Sequence, residues 1–320
     1  IGAVMSSTDA ASVFSVLRSK NLNLKYNTAS MLEMESGSND PFAYMLTVIV
    51  LSFMKGENSV GQMVYSIAAQ IGFGVLIGFL IALGAVWFMK HFTFNTSAFV
   101  LGVAVLAYAL PTLVGGNGYL SAYIVGIVLG NQNIHNKKSL VHFFDGMTGL
   151  MQMLIFFLLG LLSFPSKILT VILPSIFIAL FITFVARPLA VATVLAPFKT
   201  KISQYLVVSW AGLRGAASIV FAIMAMVGGV TMEQDIFHIA FCVVLFSITL
   251  QGSLLPFVAS KTNMIDKTGS VLKTFNDYSD ETEINFIRLN IDSGNRWIDR
   301  AVKDISLPPQ MLFAAIYRND

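Results

Sequence analysis

The chain has 320 residues, 56% of them hydrophobic and only 12% charged, with a mean hydropathy of +0.74. Soluble domains carry roughly 25% charged residues, so this is the composition of a polytopic membrane protein. A formal net charge of +3 held in short loops, with no basic stripe interleaved with aromatics, argues against nucleic acid as a partner.

The opening IGAVMSSTDAAS has no initiator Met and no charged region ahead of an apolar core. It reads as a fragment that begins inside a transmembrane segment rather than as a signal peptide. A helix needs roughly 20 apolar residues to cross about 30 Å of hydrocarbon. Candidate crossings are residues 1–17, 28–54, 62–89, 97–113, 118–131, 139–162, 168–196, 203–228 and 235–259, which makes nine. The run at 118–131 is short and rich in Gly, as expected of a tilted, interrupted or paired segment.

Loop charges orient these segments. One alternate set of loops holds Arg18, Lys20 and Lys25, then Lys90, then Lys137 and Lys138, then Lys199 and Lys201, then Lys261, Lys267 and Lys273. The other set holds Lys55, the GGNG turn, Lys167, and an acidic loop with Glu233 and Asp235. The loop after each odd-numbered segment is therefore expected in the cytoplasm, and so is the C-terminal tail.

From about Ser260 the character changes. KTNMIDKTGSVLKTFNDYSDETE reads as a polar linker over 261–283, with Asp280, Glu281 and Glu283 as a solvated acidic face. Beyond it, INFIRLNI alternates like a strand, GNRWIDRAVKDI like an amphipathic helix and MLFAAIYR like a second strand. Residues 284–320 are expected to begin a soluble βαβ module that stops before its end.

Polar residues inside the apolar runs carry the functional signal. The second segment contains Glu35, Asn39 and Asp40, and an unpaired charge in a bilayer costs several kcal/mol, from roughly 2.5 upward. At 1.5 Å per residue Asp40 lies about 18 Å from Thr28, past the middle of the slab. Glu35 and Asn39 share a helix face, while Asp40 projects about 100° further round. Gly37 thins the same turn, and Pro41 is expected to free a backbone carbonyl near Gly37. Such an oxygen-rich cluster suits a hard cation such as Na⁺ or K⁺.

Arg187, in FITFVARPLAV, is also at mid-segment and always charged, which makes it the natural partner of Glu35. For Asp40 the basic residue left over is Arg214. If Asp40 is instead unpaired in a wet cavity, it holds either a proton or a cation, and that competition couples two fluxes.

Two segments are interrupted at depth, the first by SSTD at 6–9 and the eighth by GLRG at 212–215. Unwound backbone in a membrane is tolerated where it lines a cavity or is buried in protein, and paired interruptions point to a transporter's binding site. If the two cross, Thr8 and Asp9 line the break, Asp9 offsets helix N-termini and Arg214 offsets C-termini. Alternatively, Asp9 lies at an interface.

Other patterns are weaker. Gly74-x-x-x-Gly78 and Gly126-x-x-x-Gly130 suggest close helix packing. GLRGAAS has no preceding strand and VGGNG lacks the end of a P-loop, so neither is read as a nucleotide loop. Cys242, the lone cysteine, sits in the apolar run AFCVVLF, which excludes intrachain disulfides and Cys-based metal sites. His91, His135, His142 and His238 read as interfacial structure, although His238 stands where it could sense pH from outside. With no nucleophile and base pair or metal cluster visible, an enzyme is not expected.

The motifs SSTDAASVFSVLRS, LEMESGSNDP, VGGNGYLSAYIVGIVLGN, FFDGMTGLMQMLIFFLLGLL, VARPLAV and SWAGLRGAASIVFAI occur in that order. Over residues 1–260 the chain resembles the monovalent cation:proton antiporter family, NhaP-type branch. With its tail it is most similar to bacterial potassium/proton antiporters of the cell-volume-regulation type, which carry an RCK C-terminal (TrkA-C) module. The resemblance implies an all-α polytopic membrane protein with discontinuous crossing helices, an inverted-repeat antiporter fold made incomplete by loss of the first four of thirteen helices, followed by a partial α+β cytoplasmic module.

It also implies roles. Asp40 would carry cation and proton, Asn39 would mark the electroneutral type, Glu35 would bridge to Arg187, and Thr8, Asp9 and Arg214 would line the interrupted helices. No cofactor is implied beyond the transported K⁺ or Na⁺ and H⁺. Expected partners are membrane lipids, a second copy in the full-length protein, and a small-molecule or nucleotide ligand at the module. The expected function is K⁺/H⁺ antiport at the cell inner membrane, with Na⁺/H⁺ antiport as the alternative. A ligand-gated channel is disfavoured because no TVGYG-like carbonyl filter is present.

Overall fold

The computed structural model describes residues 1–266 apart from 21, 57–58, 93–95, 133, 135–136, 199 and 230–234, together with residues 297, 298, 302 and 305. Two compact units divide the chain at Ile1–Ser279 and Asp280–Asp320. The expected module at 284–320 apart from those four residues, the acidic cluster, His135, Lys199 and Glu233 lie outside the described residues.

The first unit is helical, and its helices coincide with the nine expected runs. A single 3₁₀ turn, Val4–Ser6, precedes α1 (Ala10–Ser19). Then come α2 (Thr28–Lys55), α3 (Val60–His91), α4 (Thr96–Leu113), α5 (Gly118–Gly130) and α6 (Lys137–Leu162). The seventh run is α7 (Pro165–Phe181) joined through a π turn, Ile182–Ala186, to α8 (Arg187–Leu195). The eighth is α9 (Ile202–Trp210) and α10 (Ala216–Val227), and the ninth is α11 (Ile236–Phe246), a π turn at Ser247–Gly252 and α12 (Ser253–Lys261).

Among the described residues, five helical stretches are long and apolar enough to cross a membrane: Val60–His91, Thr96–Leu113, Lys137–Leu162, Pro165–Phe198 and Ile236–Lys261. The remaining expected crossings fall short for identifiable reasons: α2 is diluted by its polar cluster, α5 has 13 residues, and the first and eighth runs are broken.

Local chemistry places the ends. Ser59 and Gln62 form a capping box on α3, Asn117 caps α5 and Asp235 caps α11, each satisfying N–H groups left open by the first turn. Pro41 sits inside α2, which stays helical from Thr28 to Lys55. A short antiparallel bridge pairs Asn23 with Asp266 and Leu24 with Ile265, tying the loop after α1 to the strand after α12.

Buried residues sort into separate clusters. One joins Val13, Leu17, Ala29 and Leu32 to Val207, Leu213 and Leu255, and a second joins Val4, Met5 and Ala43 to Val171, Phe221 and Val243. A third holds α3, α4 and α5 together through Ala82, Val103, Ala107 and Val125. Here Gly78 is essential, because a Cβ on it would stand 2.8 Å from the Ser121 Cα. Gly74 likewise faces the Asn117 carbonyl at 3.0 Å. The second small-residue pair differs from expectation: a Cβ at Gly126 or Gly130 meets nothing within 4 Å among the described residues, so that pair makes no close helix contact.

Candidate functional site

The two interruptions cross. Residues 7–9 are extended between the 3₁₀ turn and α1, and residues 211–215 separate α9 from α10. The Asp9 N–H donates to the Leu213 carbonyl at 2.8 Å, so each unwound stretch satisfies part of the other's backbone.

Half-helix ends leave partial charges, and side chains answer them. Asp9 accepts from the Ser12 N–H at 3.1 Å and the Ser12 hydroxyl at 2.6 Å, capping α1. It also lies against Gly215 at the start of α10, where a Cβ would come 2.4 Å from Asp9 Oδ2. One carboxylate therefore faces two helix N-termini. Arg214 takes the opposite ends: its Nη1 donates to the Ser7 carbonyl, just past the 3₁₀ turn, at 2.8 Å. Arg214 is 8% exposed, and its own N–H donates to Ser247 Oγ at 3.0 Å, on the π turn before α12.

α2 lies against this crossing with its polar face. The Thr8 N–H donates to Asn39 Oδ1 at 3.3 Å, and Asn39 Nδ2 returns a bond to Thr8 Oγ1. Ser36 bridges the unwound strand, donating to the Thr8 carbonyl at 2.7 Å and accepting from the Ala10 N–H at 3.1 Å. Asp40 accepts from the Ser7 hydroxyl. Among the described residues no basic nitrogen lies within ion-pair distance of Asp40, and Arg214, the other candidate partner, is spent on Ser7 instead.

Glu35 has a different fate. Arg187 grips it with both guanidinium nitrogens, Nη2 to Oε2 at 2.8 Å and Nη1 to Oε1, and Nη2 also reaches the Val208 carbonyl at 3.3 Å. Gly212 makes room for this arginine, because a Cβ there would stand 2.5 Å from its Nε. The pair joins α2 to α8 at the start of the latter, directly after the π turn.

A cavity of about 470 Å³ opens beside the crossing, with Thr8, Asp9, Ser36 and Asp40 on one wall and α6 residues from Phe144 to Ile155 on the other. Its polar wall carries the carboxylate and hydroxyl side chains of Asp9, Asp40, Thr8 and Ser36, the oxygen donors a hard monovalent cation takes. Among the described residues no group of three His, Cys, Asp or Glu is placed to hold a metal ion.

Several contributors were not singled out in the sequence. Ser7 and Ser36 belong to motifs quoted for their neighbours. Gln152 is the only polar residue in GLMQMLIFFLLGLL, and its amide nitrogen stands 3.4 Å from Asp9 Oδ2 and 3.3 Å from Ser12 Oγ. Asn117, in the dismissed GGNG turn, is 2% exposed and donates to the Pro41 carbonyl at 2.8 Å, so the carbonyl engaged at this proline is its own. His238, in the first turn of α11, is 3% exposed, its Nδ1 against Asp235 at 2.7 Å and its Nε2 accepting from the Phe164 N–H at 3.0 Å.

This constellation has counterparts. The sequence model of the transmembrane sodium/hydrogen exchangers matches residues 1–261, the whole of the helical region. The chain belongs to this family. It is 36% identical over 336 residues to the K(+)/H(+) antiporter NhaP2 of Shewanella sp. (strain MR-4), covering all of this chain and 57% of that protein. Against the K(+)/H(+) antiporter NhaP of Alkalimonas amylolytica it is 31% identical over 329 residues, again with 100% and 57% coverage. The low-affinity Na(+)/H(+) antiporter NhaS1 of Synechocystis sp. is 28% identical over 82% of this chain.

Among solved structures, the sodium proton antiporter MjNhaP1 from Methanocaldococcus jannaschii at pH 8 superposes with a TM-score of 0.70 at 25% identity, over 82% of this chain and 69% of that one. The chain spans 57% of the length of the curated potassium/proton relatives it matches. The fold is that of an NhaP-type exchanger, and the chain is a multi-pass membrane protein of a transporter family.

Proposed function

We propose that the protein containing this chain is a secondary antiporter that exchanges K⁺ for H⁺ at Asp40, electroneutrally. The observation that carries this reading is a carboxylate without a basic partner, held by Ser7 at the crossing of two unwound segments and open to a cavity. Such a group holds one charge at a time, a proton or an alkali cation, so loading one expels the other. Asn39, fixed on Thr8, supplies an uncharged neighbour where a second carboxylate would add a charge to each cycle.

Thr8, Asp9 and Ser36 offer further oxygens to a dehydrated ion, while Arg214 and the Glu35–Arg187 pair hold the broken helices in place. Alternating exposure of Asp40 to the two sides completes the cycle. K⁺ is preferred because the Shewanella and Alkalimonas relatives are named for it. A Na⁺ reading is supported by the names of the Synechocystis and Methanocaldococcus proteins.

The loop charges support placement in the cell inner membrane, with the tail after α12 in the cytoplasm. That tail is read as a linker over 261–283 and the start of an RCK C-terminal-like domain at 284–320, which would take a small-molecule or nucleotide ligand. The intact protein is expected to be a homodimer.

The test uses the intact gene product in proteoliposomes. Asp40→Asn should abolish pH-gradient-driven K⁺ uptake while the melting temperature in detergent holds. Uptake that survives this substitution would reject the assignment, and rates for K⁺, Na⁺ and Li⁺ at several pH values decide the ion.

A further inference from the structure

The cavity lies on one side of Asp40 only. Along α2 it reaches back to Ser36, along α1 on to Ala11, and along α6 from Ile155 back to Phe144. It therefore extends from Asp40 toward the face holding the C-terminus of α1 and the N-termini of α2 and α6.

In the opposite direction, toward the Gly115–Gly118 turn, the path is filled. The Tyr44 ring, one turn beyond Asp40, is 5.1 Å from that of Tyr119 at the start of α5. Tyr108 of α4 meets Tyr119 edge-on at 5.3 Å, and Phe221 of α10 stands 5.7 Å from Tyr119 and 6.2 Å from Tyr44. Aromatic pairs in this range attract beyond their buried area.

Beside this plug sits Asn117, bonded to α5, α3 and α2. Its Oδ1 caps α5 by accepting from the Leu120 N–H at 3.1 Å, its own N–H donates to the Gln70 carbonyl at 3.1 Å, and its Nδ2 donates to the Pro41 carbonyl at 2.8 Å. The first two bonds anchor it to α5 and α3. The start of α5 also packs tightly on α4, where a Cβ on Gly118 would stand 2.4 Å from the Tyr108 carbonyl. The third bond reaches the residue directly after Asp40. α2 buries Ala29, Leu32 and Ala43 in two clusters shared with α1 and α7–α12, whereas α3, α4 and α5 share a third with Leu140 of α6. The Asn117–Pro41 bond, together with the Tyr119 ring packed against the second cluster, thus ties α2 to the helices of the third.

We infer that Asn117 is a positioning residue that pins α2 immediately beyond Asp40, and that with the Tyr44–Tyr119 contact it forms the gate closing the path from Asp40 to the Gly115–Gly118 face. The inference rests on reading Asp40 as the exchanging carboxylate, which must open to one side at a time. Opening the second path then requires this bond and this ring contact to part. Cation selectivity does not depend on them, because neither touches the cavity.

The test separates the cap from the latch. Asn117→Ser keeps an oxygen that caps α5 and loses the reach to Pro41. In the intact protein carrying Cys242→Ser and no other native cysteine, a cysteine placed at Ala43, which is 1% exposed and directly precedes Tyr44 on α2, is labelled with a membrane-impermeant maleimide from the Gly115–Gly118 face. Loss of one hydrogen bond that holds the closed state should raise the labelling rate about fivefold, with labelling from the other face unchanged. The ratio of apparent cation KM values measured from the two faces should shift by a similar factor. Tyr44→Leu should act in the same direction. Labelling that stays at the parent rate in both variants, or rises equally from both faces, overturns the gate. Because labelling needs no transport, a parent that exchanges no cation rejects the proposed function, whereas an unresponsive gate in a parent that does exchange rejects this inference alone.

Discussion

The Glu35–Arg187 pair lends itself to a quantitative test. The arginine side chain is 9% exposed and the glutamate 31% exposed, so removing the glutamate strands a guanidinium in a nearly dry site, whereas removing the arginine leaves a carboxylate with some access to water. Breaking a buried pair from one side costs about 3–5 kcal/mol. Partial exposure of Glu35 puts Glu35→Gln near the lower end, about 3 kcal/mol, and Arg187→Met lower still, about 2. Removing both charges together leaves a packing defect beside Gly212 and an unserved Val208 carbonyl, about 2 kcal/mol in total. The double-mutant cycle should therefore return a coupling of about 2–3 kcal/mol, with the double variant no less stable than Glu35→Gln alone. Melting of detergent-solubilised protein reads this directly, at roughly 2–4 °C per kcal/mol. Losses that simply add would show that the two side chains do not hold each other, and would remove the reason for a charged pair between α2 and α8.

Two further outcomes follow from the packing and the caps. Gly78→Ala pushes a Cβ to 2.8 Å from the Ser121 backbone and should destabilise by about 1–3 kcal/mol, whereas Gly126→Ala meets nothing within 4 Å and should stay within about 0.5 kcal/mol of the parent; equal losses would contradict the α3–α5 packing. Asp235 is pushed up by burial but pulled further down by the His238 N–H and ring and by Lys167 at 3.7 Å, which leaves it below the usual carboxylate range. A depressed carboxylate contributes stability above about pH 4 and loses it as pH falls through its folded value, so the advantage of the parent over Asp235→Asn should be present at neutral pH and vanish on acidification. An advantage that grows toward acid would refute that sign.

How much of this was legible in the sequence followed the cost of burying each group. Charges in an apolar run demand an explanation of several kcal/mol, so the sequence alone matches Glu35 with Arg187 across 152 residues and places the breaks at SSTD and GLRG. Neutral polar side chains cost less and occur in membranes for many reasons. Ser7, Ser36, Gln152 and Asn117 therefore carry no such signal, although the first three set the crossing against α2 and α6 and the fourth sets α5 against α2. Small-residue spacing permits close packing without requiring it, which is why one glycine pair seats a neighbour and the other does not. The π turns before Arg187 and at Ser247–Gly252 depend on backbone hydrogen bonding that residue identity does not encode.

Arg214 shows why counting charges alone misassigns partners. The inventory of basic residues offered it to Asp40, yet the end of a single 3₁₀ turn presents carbonyls whose partial negative charge must also be met within the membrane. By donating to Ser7 the guanidinium neutralises a broken helix, not a side chain. Ser7 in turn offers its hydroxyl to Asp40. Arginine and carboxylate thus share Ser7 without pairing with each other, an arrangement that supports the unwound backbone and leaves the acid with no basic partner among the described residues.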